Sequence, residues 1–170
     1  MPMSQTLADV IRHCRLIDEL IISTETGTFT ITADGQLEGL TGEYLVGQWL
    51  QLENTKLSDG LYRINAIDAI SGAVTLSNGT DTEMATQGEE AFTGVVRGLR
   101  ISPALLAITC EILAYNEGAG AASPYVSETV LNVHSWSKGA KSNGAPVTWV
   151  DVFHDKLLPF MRLPIPAVKI

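Results

Sequence analysis

Three X-Gly pairs, Asp59-Gly60, Ser71-Gly72 and Asn78-Gly79, punctuate the stretch from Gly42 to Gly98 and leave between them runs too short for helices. A glycine in the second place of such a pair supplies the positive φ that tight hairpin turns require. The runs, Gln48 to Leu52, Leu61 to Ile67, Ala73 to Ser77 and Phe92 to Arg97, have β character. They read as consecutive antiparallel strands forming a small sheet or barrel. Thr80 to Glu90 is polar and acidic with few apolar anchors, and reads as a long mobile loop.

Helical signals flank this stretch. Ser4 or Thr6 is placed to cap a helix over about 6–21, in which Leu7, Val10, Ile11, Cys14, Ile17 and Ile21 recur at three- and four-residue spacing. Thr24 to Gly27 breaks that pattern, and Thr28 to Thr32 alternates with period two ahead of the Asp34-Gly35 turn. The clearest helix has Ser102 at its cap, Pro103 at its first position and Gly118 just past Glu117. Leu105, Leu106, Ile108, Ile112, Leu113 and Tyr115 surround its wheel, so burial on more than one side is expected, either within the chain or by a neighbouring subunit. Gly118 to Pro124 reads as a flexible link and Tyr125 to Ser137 as a strand or hairpin arm. Ser137 to Pro146 reads as a loop, and Thr148 as the cap of a last helix with Asp151 in its first turn and Trp149, Phe153 and Leu157 on its apolar side. Pro159 ends or bends that helix. Phe160 to Ile170 is apolar but interrupted by prolines, which suits lying on its own domain or docking into a partner. The expected fold is therefore α+β: three main helices, a small antiparallel β module inserted between the first and second, and a C-terminal β arm. The expected divisions are 1–41, 42–98 and 99–170.

The 170 residues are 45% apolar and carry a formal charge of -8 with a pI near 4.7, which excludes phosphate-backbone binding as a main source of affinity. Residues 1–100 hold 14 acids and 6 bases, whereas residues 101–170 hold 5 of each. Cys14 and Cys110 sit in apolar helical stretches and read as buried thiols of a reducing compartment. The polar start of the chain and the short apolar runs give no reason to expect export or membrane insertion. His13, His134 and His154 fall in three different elements without a second ligand at metal spacing, and no nucleophile elbow or phosphate loop is present. Asp18-Glu19 and Glu89-Glu90 read as solvated charge, Asp151 and Asp155 as capping and solubility. Glu111, among leucines and isoleucines, is expected to find a hydroxyl or a base, within the chain or across a subunit boundary. Trp49, Tyr62, Trp136 and Trp149 could stack on sugar rings but stand at core-like positions. No catalytic, metal or cofactor residue is expected, and the chain does not read as an enzyme.

Pro124-Tyr125-Val126-Ser127-Glu128-Thr129, an arm through Ser135-Trp136-Ser137, a Gly-rich loop and Thr148 to Phe153 with Leu157 and Pro159 together resemble the C-terminal part of tailed-phage head-tail connector (head completion, adaptor) proteins. Gly47-Gln48-Trp49-Leu50-Gln51-Leu52 and Asp59-Gly60-Leu61-Tyr62-Arg63-Ile64 look like the β module that some members carry, and Ser102-Pro103 with its apolar helix looks like their core helix. The likeness covers roughly residues 44 to 163. It implies a structural virion protein at the neck, assembled in the host cytoplasm. Twelve copies would form a ring on the portal that prolongs the DNA channel and meets a tail or stopper protein, with packaged DNA passing through unbound. On this resemblance Phe160, Met161, Arg162, Leu163, Ile165, Val168 and Ile170 are candidates for portal binding. Leu106, Glu111, Leu113, Tyr125, Val130, Val133, Trp136, Trp149 and Phe153 are candidates for contact between subunits. A tail completion or terminator protein, and a monomeric carbohydrate- or protein-binding β module with Trp49 and Tyr62 exposed, are the alternative readings.

Overall fold

The computed structural model describes residues 2–79, 89–117, 127–130, 134–137 and 148–161. The chain opens with α1 (Met3–Cys14), whose Leu7, Val10, Ile11 and Cys14 form one buried stripe. The helix expected over 6–21 is cut at Arg15, which takes the left-handed conformation at φ 58°, with the Leu16 amide donating to the Ile11 carbonyl. A single turn, α2 (Ile17–Leu20), then leads directly into β1 (Ile21–Ile31). No side chain caps α1. Ser4 is buried, its amide donating to the Asn78 carbonyl, and the Thr6 hydroxyl donates within the helix to the Pro2 carbonyl.

The strands that follow are β2 (Gln36–Glu38), β3 (Trp49–Glu53), β4 (Gly60–Ile67), β5 (Val74–Ser77) and β6 (Glu90–Leu99). With β1 they form a closed barrel in the order β1-β2-β5-β4-β3-β6, every neighbouring pair antiparallel. This overturns the expected architecture of three main helices with a small inserted module. The barrel is the body of the molecule, four α-helices accompany it among the described residues, and β1 and β2 from before the expected boundary at 41/42 belong to it. The seam that closes it is the ladder of β1 on β6, from Ile21 opposite Leu99 to Ile31 opposite Glu90. Ser23, Thr24, Glu25 and Thr26 look like loop residues because backbone bonds, not apolar side chains, hold them in the sheet.

Period-two alternation divides the strand residues between two cores. Phe29, Ile31, Leu37, Leu50, Leu52, Tyr62, Ile64, Val74, Leu76, Phe92 and Val96 fill the barrel. Trp49, Leu61 and Leu99 point outward and join Leu7, Val10, Ile11, Leu105, Ile112, Phe153 and Leu157 in a second core beneath the helices. At Gly94 on β6 a Cβ would run into the Glu53 carbonyl and lie 2.9 Å from the Phe92 ring, so only glycine fits that crossing of strands.

Helix α3 (Pro103–Glu117) starts where its sequence signals place it, with the Ser102 hydroxyl accepting the Leu105 amide at 3.2 Å. Its buried Thr109 is satisfied by donating to the Leu105 carbonyl at 2.8 Å. The strands β7 (Ser127–Val130) and β8 (His134–Ser137) pair antiparallel, Ser127 opposite Ser137 and Val130 opposite His134. In α4 (Trp149–Leu157) the Thr148 amide and hydroxyl both donate to the Asp151 carboxylate, and a 3-10 turn at Leu158–Phe160 follows across Pro159.

Candidate interaction surface

Among the described residues, reactive groups do not converge. Among the described residues no three His, Cys, Asp or Glu side chains lie together as metal ligands. His13 meets the Trp149 ring edge-on at 5.6 Å, His134 is in β8 and His154 is exposed on α4. Both cysteines are free. Cys14 is buried and burial pushes its thiol pKa up, whereas Cys110 is exposed on α3, contrary to the expectation of two buried thiols. A cleft of about 310 Å³ between α1 and the start of β4 is lined by Ser4, Arg12, Asp59, Tyr62 and Asn78. Its charges are already engaged, since Arg12 pairs with Asp9 and the Asp59 carboxylate accepts the Thr55 amide and hydroxyl.

Two of the acidic residues, Glu90 and Glu111, serve structure. Glu90 is not solvated loop charge but the first residue of β6, buried, and its carboxylate accepts the Lys56 and Leu57 amides and the Ser58 hydroxyl. It fixes the loop between β3 and β4 to the barrel rim. The rest of the expected loop, 80–88, lies outside the described residues. Glu111 pairs with Lys156 of α4, both side chains about half exposed.

What the structure does offer is uncovered apolar surface. Helix α3 is mainly apolar, Thr109, Glu111, Asn116 and Glu117 being its polar residues, yet only Leu105, Thr109 and Ile112 are fully buried, a single stripe at helical spacing. Leu106, Ile108 and Tyr115 are half-buried against the core of their own chain, Leu113 is half-buried as well, and Ala104, Ala107, Cys110, Glu111, Ala114 and Glu117 face out. Where the helix begins, Leu106 and Ile101 adjoin Ile22 of β1 and Leu45-Val46 of the loop before β3. Together they form an open groove of about 260 Å³, whose one ionisable lining group is Arg100. Leu45 and Val46 are 74% and 62% exposed.

The loop presenting Leu45 and Val46 is rigidly anchored. The Glu25 carboxylate accepts the Thr41 amide at 2.8 Å and its hydroxyl at 3.0 Å, the Gly42 amide at 2.8 Å and the Tyr44 hydroxyl at 2.6 Å. Burial alone would raise the Glu25 pKa, but the bonds from Tyr44, Thr41 and Gly42 together outweigh it and hold the carboxyl below its usual range. The Tyr44 hydroxyl is pushed well above its usual range, first by burial and then by Glu25. Further along, Gln48 accepts the Leu45 amide and Gly47, at φ 88°, donates to the Ile64 carbonyl.

The subunit-contact candidates divide accordingly. Leu106 lines the groove, and Leu113 lies half-buried on α3. Phe153 is buried edge-on against Tyr115 at 5.9 Å, and Trp149 packs with the α1 core. Both are thus engaged within the chain. Val130 and Trp136 fall in β7 and β8, and Tyr125 and Val133 lie outside the described residues. Of the portal candidates, Phe160 and Met161 pack against the core beneath the helices of their own chain. Arg162, Leu163, Ile165, Val168 and Ile170 lie outside the described residues. Sequence reasoning missed Ile22, Leu45, Val46, Arg100 and Ile101. The one available signal was Leu45-Val46 directly before a glycine in a stretch without strand or helix pattern. Trp49 and Tyr62 are buried in the two cores and offer no stacking platform. Among the described residues no helix is long and apolar enough to cross a membrane. No protein-family model, curated protein or solved structure matches the chain.

Proposed function

We propose that this chain is a structural subunit that assembles with copies of itself into a ring, and that the ring is a head-tail connector seated on the portal of a tailed phage, joining capsid to tail. One observation carries the assembly reading: α3 is mainly apolar, yet its own chain fully buries only Leu105, Thr109 and Ile112 and leaves Leu106, Ile108, Leu113 and Tyr115 half-covered. A surface helix of a monomer ordinarily turns a polar face to water, so this one is composed for cover from outside. The resemblance of residues 44 to 163 to connector proteins supplies the setting, with the portal, a tail or stopper protein and passing DNA as partners. An acidic chain suits a conduit for a polyanion, because attraction to the wall would retard it. The burial of Trp49 and Tyr62 speaks against a carbohydrate-binding module.

The test is imaging and native mass spectrometry of the full chain at rising concentration, alone and mixed with portal rings or with purified tails of tailed phages. Rings that attach to portals are expected. A chain that stays monomeric under all these conditions overturns the reading, and rings that attach to tails alone replace the connector with a tail completion protein.

A further inference from the structure

We propose that the groove of Ile22, Leu45, Val46, Ile101 and Leu106 seats the outer face of α4 from a second copy of this chain, Val152 and Leu158 entering the groove and Asp155 meeting Arg100. The inference rests on the ring reading and names the two faces that would make it.

The groove has the character of a built receptor. Glu25 and its four donors fix the loop that presents Leu45 and Val46 before any partner arrives, which removes much of the ordering cost of binding. The Arg100 amide is tied to the Leu20 carbonyl at 2.8 Å, so the backbone carrying the groove's one charge is held as well. Helix α4 supplies the matching shape. Phe153 and Leu157 turn inward, while Val152 and, in the 3-10 turn that continues the helix, Leu158 stand 48% and 52% exposed with Asp155 between them in sequence at three-residue spacing. The neighbouring base, Lys156, is held by Glu111 and does not cancel Asp155.

Charge decides which faces meet. Packing two grooves together would oppose Arg100 to Arg100, and packing two α4 faces together would oppose Asp155 to Asp155. Groove on α4 pairs cation with anion and apolar with apolar. Such a contact uses two different faces, so each copy still offers one face to the next, which is the condition for a closed ring rather than a dimer.

Cross-linking tests the pairing. In a C110S background, V46C and V152C are made singly and together, and the full chain is treated with a short bis-maleimide. Cys14 is buried and stays silent. A ladder of intermolecular products is expected from the double variant, and none from either single one. In parallel, Arg100→Asp should raise the concentration needed for half-assembly at least about tenfold, with an unchanged circular-dichroism spectrum, and R100D/D155R should restore it. Rings that form without the V46C to V152C cross-link, or dimers cross-linked by a single variant, overturn this pairing and leave the ring reading standing. Absence of any oligomer overturns both.

Discussion

Replacing Glu25 by Gln tests whether the apolar tip at Leu45-Val46 is held in place or merely rests there. The carboxylate takes two donors on each oxygen: Thr41 twice on Oε2, Gly42 and Tyr44 on Oε1. A Gln side chain keeps one oxygen, so its NH2 must face either the two Thr41 donors or the Gly42 and Tyr44 donors. Two bonds to a charged acceptor are lost, nominally about 1.5–3 kcal/mol each. Thr41 and Gly42 are exposed and water replaces much of that, so the expected cost is about 1–2 kcal/mol. The loss is local, because β1 remains paired to β6 along its length. Hydrogen exchange at the Thr41 and Gly42 amides should therefore accelerate by about 5–30-fold, while barrel amides such as that of Leu50 keep their protection. Acid should act in the same direction. The folded-state pKa of Glu25 is held below its unfolded value, so its stabilisation is complete above the unfolded value and is lost as pH falls through the folded one. NMR shifts of the Leu45 and Val46 methyl groups during acid titration would follow it. Unchanged exchange in E25Q, with methyl shifts insensitive to acid, would refute the claim that Glu25 anchors the tip.

Other outcomes follow from the same structure. Gly94→Ala places a methyl against the Glu53 carbonyl and the Phe92 ring and should cost about 1–3 kcal/mol in urea denaturation. Glu111→Ala breaks a half-exposed pair with Lys156 and should change stability by less than about 1 kcal/mol in the same assay. A maleimide should label Cys110 in the native monomer and reach Cys14 only on unfolding. Assembly should slow labelling of Cys110 if the exposed side of α3 is what copies cover, and unchanged labelling in the ring would contradict that.

The legible parts of the fold were those written locally. Ser102-Pro103 and Thr148 with Asp151 start α3 and α4 because capping is a matter of adjacent residues, and the X-Gly pairs mark turns for the same reason. Closure of the barrel was not legible, because it depends on β1 meeting β6, from Ile21 with Leu99 to Ile31 with Glu90, far apart in sequence and through backbone bonds that composition does not report. The break at Arg15 was hidden for another reason: an arginine in the left-handed conformation carries none of the signal that a glycine would. Glu90 reads as solvated when taken with Glu89, and its burial becomes visible only once the β3–β4 loop folds over it. At the candidate surface, α3's surplus of apolar residues was evident from the wheel. That Leu45 and Val46 face water beside Leu106 is a fact of tertiary placement, since the same two residues in a strand would have been core.

Closure of the barrel also limits how such a molecule can associate. An open sheet can recruit another chain through the unpaired backbone groups of its edge strands, but in the barrel β1 and β6 are paired to each other and no edge remains for strand addition, which leaves open edges only in the two-stranded β7–β8 sheet among the described residues. Association through the barrel then falls to side-chain faces, and charge discriminates among them. The first hundred residues, which include the whole barrel, carry the entire net charge of -8, so barrel-to-barrel contact is repulsive. Residues 101–170 are balanced and carry α3, which exposes Ala104, Ala107 and Ala114, and α4, which exposes Val152. The proposed contact sets α4 of this balanced half against the groove of a second copy and would depend little on salt, since its one charged pair, Arg100 with Asp155, is a small part of a mainly apolar patch. A contact forced between barrels would instead need high salt to form at all. The direction in which salt moves assembly therefore tells which side of the molecule faces its neighbour.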